Sequence, residues 1–446
     1  MRIQDLKHSE KAKNYFILSG LLFIGLVFTV RAAITGITYD EAYTYLAYVI
    51  PLEEDPSVNT IYSIFYGSVA NNHWLNTALI ACVCKIFQIQ YNEFLIRLPS
   101  VLFGWIFLFA IYLGYKKSVL NGISLAIMMF CYYLHEFFGL ARGYGGSATL
   151  VLISILLISY WKKECQDDRL LVIALGSMVL AVYENSVALI VLFCIGIVMI
   201  CRLAYEKRLI RLLRQYCLLL ILYICACILI LKYHFRISGE GMPLFASSHY
   251  TFIDLIQEYL SMIIKGKWLI GIASILVIIM LAGCVVLLLY KKKLWDLDIG
   301  NAFLLYILCV ISMNAIFGRG GLFGRTLLPA IPLIAVGMGE ILRTTANVLF
   351  CSDKHIFMKR IVRFASAFAI IIMALSYVNR FDITHTRDWY DDYNIRTDFY
   401  TNPMFKVNDV HASVVFYSQK KEWDYNNLLE KYNGEETLSY RDEIQR

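Results

Sequence analysis

Apolar residues run through this chain in blocks too long for strands and too continuous for amphipathic surface helices. The blocks are Tyr15–Ile34, Ile96–Tyr115, Val119–Phe138, Ser147–Trp161, Leu170–Tyr183, Ser186–Cys201, Tyr216–Tyr233, Trp268–Tyr290, Ile299–Phe317, Thr326–Leu342 and Ile361–Val378. Stretches of about 20 apolar residues are the length that crosses a bilayer as helix. The pattern predicts an all-α polytopic membrane protein with about eleven spans, within a range of ten to thirteen. A twelfth apolar run, Trp74–Ile89, is shorter and contains Lys85.

Basic residues decide the status of that run. With the N-terminus in the cytoplasm and Trp74–Ile89 not crossing, the inner segments collect Lys7, Lys11 and Lys13, Lys116 and Lys117, Lys162 and Lys163, Arg208 and Arg211, and the Lys291–Lys293 triplet. The outer loops hold far fewer, in longer segments. Crossing by Trp74–Ile89 would reverse every later loop against the positive-inside tendency. It is therefore expected as a re-entrant or interfacial helix on the outer side; the alternative is that it spans and one of the short runs near Tyr183 does not. The first run is long for a signal peptide and reads as an uncleaved first span.

This organisation gives a transmembrane domain over 1–379 with an outer loop at 35–95 carrying juxtamembrane helices. An extracytoplasmic tail follows at 380–446, expected as small α/β or irregular structure. In the tail, Ala412–Tyr417 suits a short strand and Lys421–Tyr432 a helix. The loop Lys232–Lys267 is a third outer segment, with helical periodicity over Phe252–Ile264.

Composition sharpens the reading. Hydrophobic residues make up 59% of the 446 and charged residues only 17%, which excludes disorder and argues against a water-exposed globule. The net charge of +7 is explained by sorted topology markers, so nucleic acid is not expected as a partner. The 12 cysteines lie mostly inside apolar runs. Cys82-x-Cys84 and Cys225-x-Cys227 lack a matched second pair and read as small apolar fillers.

Ionisable groups near a bilayer mark function by default, and under this topology they gather on the outer face. They are Tyr39-Asp40-Glu41-Ala42-Tyr43, Asn71-Asn72-His73-Trp74, Glu136 with Ala141-Arg142-Gly143-Tyr144, Tyr183-Glu184-Asn185, and Gly318–Gly321 with Arg325. A carboxylate can take a proton from an attacking hydroxyl. Arginines can hold a phosphate and stabilise charge on it as it leaves. Amides and tyrosines can bind a sugar. No GxxxxGK[ST] and no strand-bordered GxGxxG is present, which favours a lipid-linked donor over a nucleotide sugar.

In these residues the chain resembles the GT-C class of integral-membrane glycosyltransferases, nearest the branch of protein O-mannosyltransferases and aminoarabinose transferases. The resemblance runs from the first span to about Gly339. Its landmarks are Asp40-Glu41, Asn72-His73, Arg97-Leu98-Pro99-Ser100, Ala141-Arg142-Gly143-Tyr144, Tyr183-Glu184-Asn185 and Arg325 to Pro332, in that order. It implies a GT-C-like fold and an inverting sugar transfer from a polyprenyl phosphate, in the cell membrane, to an extracytoplasmic glycan, lipid or protein. Asp40 is implied as general base, and Glu41 as the second acid, assisting or binding a metal. The chain departs from the family where His73-Trp74-Leu75 replaces a His-Pro-Pro or Lys-Pro-Pro element. No cofactor is therefore assigned; a divalent metal at Glu41 and His73 stays open. Arg142 and Arg325 are the candidates for the donor phosphate. Tyr39, Tyr43, His73, Tyr144, Tyr183, Glu184 and Asn185 are the candidates for the sugar and acceptor pocket. The alternatives are a secondary transporter or lipid-linked-sugar flippase, which would show repeat symmetry and midplane sites, and a non-catalytic partner of an envelope polymerase.

Overall fold

A computed structural model describes residues 3–35, 41, 44–45, 49, 73–88, 92–165, 167–239, 252–317, 324–350 and 356–381. The described residues contain helices and no strands. In chain order these are α1 (Ile3–Ile34), α2 (Trp74–Phe87), α3 (Glu93–Lys116), α4 (Gly122–Phe130), α5 (Tyr132–Phe138), α6 (Gly143–Tyr160), α7 (Asp168–Glu184), α8 (Ala188–Tyr205), α9 (Leu209–Gly239), α10 (Phe252–Ser261), α11 (Lys267–Tyr290), α12 (Ile299–Phe317), α13 (Ile331–Leu349) and α14 (Ile356–Asn379). A π-helical turn (Trp161–Cys165) extends α6, and a 3₁₀ turn (Gly324–Ala330) leads into α13.

Seven described helices are long and apolar enough to cross a membrane: Ala12–Ile34, Glu93–Lys116, Gly143–Lys163, Ala188–Tyr205, Leu209–Lys232, Lys267–Tyr290 and Gly324–Leu349. Trp74–Phe87, Ile299–Met313 and Phe364–Asn379 are apolar but shorter. The chain is thus a polytopic helical membrane protein. The surface agrees with this. Phe16, Leu218 and Trp268 are each more than four-fifths exposed, and α9 and α11 are mostly uncovered. Such a continuous apolar exterior suits acyl chains and not water.

Two expected spans take a different local form. Val119–Phe138 is broken at Cys131 into α4 and α5. The break places buried polar side chains in α5: His135 meets the Tyr377 hydroxyl of α14 at 3.1 Å, and Glu136 pairs with Arg31 of α1. Leu170–Tyr183 lies in α7, which is only 17 residues long. Its start is set by Asp167, whose side chain accepts from Arg169 N.

The central helix is α6, which packs against α3, α7, α13 and the 3₁₀ turn and is largely buried. Its first turn reads Gly143-Tyr144-Gly145-Gly146, so neighbouring helices can approach closely there. The 14 residues of α2 span about 21 Å at 1.5 Å per residue, short of the roughly 30 Å hydrocarbon core. Asn76 near its start lies level with Ser100 of α3, whose hydroxyl donates to it at 3.4 Å, while its far end joins the start of α3 through a short connection.

The expected tail strand and helix lie outside the described residues, as does most of the outer loop.

Candidate functional site

One end of the bundle is built from the C-terminal ends of α1 and α7, the N-terminal ends of α2, α3 and α6, and the 3₁₀ turn. Buried polar side chains crowd there: Arg31, Thr35, Glu41, Thr44, His73, Asn76, Arg97, Ser100, Glu136, Arg142, Glu184 and Asn185. The structure therefore brings together the described parts of the chain regions that the sequence pattern assigned to one face.

Glu41 is held most firmly. Arg97 Nε donates to Glu41 Oε1 and Arg97 Nη2 to Glu41 Oε2, both at 2.8 Å. Both side chains are fully buried. Glu41 Oε1 also accepts from Ala141 N at 2.6 Å. Arg97 Nη1 donates to the Ala32 and Thr35 carbonyls at 3.0 and 2.7 Å. A bidentate pair of this kind is strong and directional. It ties the segment after α1 to α3 and to the loop before α6. Both Glu41 oxygens are engaged, so the arrangement does not fit a metal ligand, and no step is routed through a metal. Among the described residues no three His, Cys, Asp or Glu side chains are grouped for a metal ion. Pairing of Glu41 with Arg97 was not read from the sequence, where Arg97 registered only as the head of an Arg-Leu-Pro-Ser element.

The second feature is Tyr144. Arg142 lies 5.7 Å and Arg325 5.8 Å from its ring centroid, both within cation–π range. The two arginines are far apart in sequence, yet the α6 start and the 3₁₀ turn aim them at one ring. His73 meets the same ring edge-on at 4.7 Å, and Phe137 at 4.9 Å. Arg142 is fully buried and its Nη1 donates to Thr44 Oγ1 at 3.4 Å. Two guanidiniums gathered at one ring favour a multiply charged anion such as a phosphate.

His73 Nδ1 lies 2.7 Å from the Glu184 carbonyl oxygen. A carbonyl only accepts, so His73 carries a proton on Nδ1, while Nε2 is buried. The Glu184 carboxyl is fully buried, and neither oxygen has a hydrogen-bond partner among the described residues. It packs on the glycines that open α6. A Cβ on Gly143 would stand 2.6 Å from Glu184 Oε2, and one on Gly146 2.9 Å from its Cδ. These glycines make room for the carboxyl beside the positive end of the α6 dipole.

Other candidates serve the fold. The Tyr183 hydroxyl donates to Ala226 O of α9 at 3.2 Å, and its ring stacks edge-on with Trp74. Asn185 Oδ1 accepts from Val187 N at 3.0 Å, stabilising the entry to α8. Both side chains are thus engaged in helix packing. Tyr39, Asp40, Tyr43, Asn71, Asn72 and Arg319 lie outside the described residues.

Two groups were not singled out in the sequence. Arg31 donates to Tyr132 Oη at 2.6 Å and to Glu136 Oε1 at 2.5 Å, which assigns Glu136 to a buried lock between α1 and α5. Glu258 of α10 accepts from the backbone N–H of Gly324, next to Arg325. Burial raises the Glu258 carboxyl above its ordinary value, and the Gly324 hydrogen bond opposes that rise. Only its helical register was legible beforehand.

Comparison of the chain with protein-family models, curated proteins and solved structures finds no match. The functional reading therefore rests on the site itself and on the residues that carry the GT-C resemblance.

Proposed function

We propose that the protein is an inverting glycosyltransferase that moves a sugar from a polyprenyl phosphate to an extracytoplasmic acceptor. The observation that carries the reading is the convergence of Arg142 and Arg325 on the Tyr144 ring, at the end of the bundle to which Glu41, which follows Asp40 in the sequence, is tied. An acid next to a fixed anchor and two arginines around one ring supply the two charges that glycosyl transfer needs managed.

In this mechanism Asp40 takes the proton from the acceptor hydroxyl as its oxygen attacks the anomeric carbon. The bond from that carbon to the phosphate oxygen breaks on the opposite side of the sugar. Arg142 and Arg325 stabilise the charge gathering on the polyprenyl phosphate. Glu41 keeps the Asp40 segment in place through Arg97. His73 and the Glu184 carboxyl face the sugar. The proposed topology has eleven spans, a cytoplasmic N-terminus and an outer tail, with the site on the outer face.

The test is transfer from synthetic polyprenyl-phosphate sugars to a panel of acceptors. Release of free polyprenyl phosphate with a glycosylated acceptor supports the reading. Translocation of the intact lipid-linked sugar without transfer would favour a flippase.

A further inference from the structure

A cavity of about 370 Å³ lies at the other end of α6, between α6, the π-helical turn, α12 and α13. From Gly143 to Lys163 the helix runs 21 residues, about 30 Å, so the cavity stands a bilayer's thickness from the Tyr144 cluster. Its lining is divided. Val119, Ile158, Ile299 and Val336 form an apolar part, and Lys162, Lys163 and Arg343 bring three cations from two separate segments.

The two acids at this cavity face the same lysine, so the lining carries three cations against two carboxylates. Lys162 Nζ lies 2.9 Å from Asp298 Oδ2 and 3.8 Å from Glu340 Oε1, and Glu340 Oε2 accepts from Gly300 N at 2.7 Å. Lys162 therefore closes the wall between α6, α12 and α13. Among the described residues the other two cations have neutral partners. Lys163 Nζ donates to Lys117 O at 2.8 Å, and Arg343 donates to the Ser118 and Val119 carbonyls at 3.4 Å. Carbonyls orient these groups without cancelling their charge.

We infer that this cavity binds the phosphate of an anionic phospholipid from the leaflet at that end of the bundle. Lys163 and Arg343 hold the phosphate oxygens, and the apolar wall takes the start of the acyl chains. Charge sorting assigns this leaflet to the cytoplasm, the face where basic residues meet anionic lipid. The inference is independent of the proposed sugar transfer, because none of its residues belongs to the Tyr144 cluster.

The experiment uses the full chain in neutral detergent, with displacement of a fluorescent phosphatidylglycerol as the readout. Wild type should bind saturably, and phosphatidylcholine should not compete. Lys163→Ala with Arg343→Ala should weaken binding about thirtyfold, at about one surface charge's worth per residue. Lys163→Arg with Arg343→Lys should keep it. High salt should release the lipid from wild type, a check that needs no variant. Equal binding by the alanine variant, or equal competition by phosphatidylcholine, overturns the site. Displacement by inorganic phosphate at the concentration at which phosphatidylglycerol displaces would overturn the lipid as its source and make the ligand a free phosphate.

Discussion

Glu41 and Arg97 show how one residue pair fixes the placement of a segment. A buried charge left without its partner costs on the order of 3–5 kcal/mol. Arg97→Ala strands Glu41 at the junction of α1, α3 and the α6 entry, so it should lower thermal stability by about that amount and reduce activity with it. Glycine at 143 and 146 is required for a different reason: at 143 the Glu184 backbone carbonyl and then its carboxyl, and at 146 the carboxyl, occupy the volume a methyl would need. Gly143→Ala should therefore destabilise the protein by about 1–3 kcal/mol, the usual cost of overpacking, in a thermal-shift assay. Glu258 adds a pH term. Its folded pKa lies above the ordinary 4.5, so between those values the folded chain binds protons that the unfolded chain does not. Its contribution to stability is fully present below 4.5 and is lost as pH rises through the raised value. Glu258→Gln should flatten that part of the stability profile; an unchanged slope would contradict the assignment. At this scale the sequence revealed residue types more readily than partners. Asp-Glu, Ala-Arg-x-Tyr and Tyr-x-Asn could be picked out as elements, but the pairing of Glu41 with Arg97 spans 56 positions and has no local signature. The helix-packing partners of Tyr183 and Asn185 had no local signature either, because polar groups at a span end are equally suited to helix packing and to ligands.

Periodicity and charge located most helices within a few residues, because apolar length and loop charge are both local properties. The break at Cys131 was not legible. It answers to Arg31 and Tyr377, which are distant in sequence and meet α5 only in the folded bundle. The expectation that α2 does not cross rests on charge alone; the helix has 14 residues, fewer than a span needs. A single cysteine introduced at Asp55, in the segment before α2, should react with a membrane-impermeant maleimide from the same side as one introduced at Gln88, where α2 ends. Protection of one but not the other would mean that α2 crosses. The amphipathic α10 was also visible as periodicity. Its docking against the 3₁₀ turn through Glu258 was not, because the turn belongs to a segment 66 residues further on.

At the scale of the molecule, the bundle has two polar ends separated by the length of α6. One gathers an acid segment, a histidine, a buried carboxyl and two arginines around Tyr144. The other carries Lys162, Asp298 and Glu340 and the cavity beside them. A reporter fused after Arg446 should be active outside the cytoplasm; a cytoplasmic signal would put the tail on the other side and reverse the proposed topology. The central claim is chemical: Asp40 is the base of a sugar transfer. The most direct measurement is turnover of a polyprenyl-phosphate sugar by wild type and by Asp40→Asn, purified side by side with equal membrane insertion and thermal stability. The account predicts product from wild type and a loss of about 10²–10⁴-fold in turnover for the variant, the range of a positioned general base. Undiminished turnover by Asp40→Asn would contradict it.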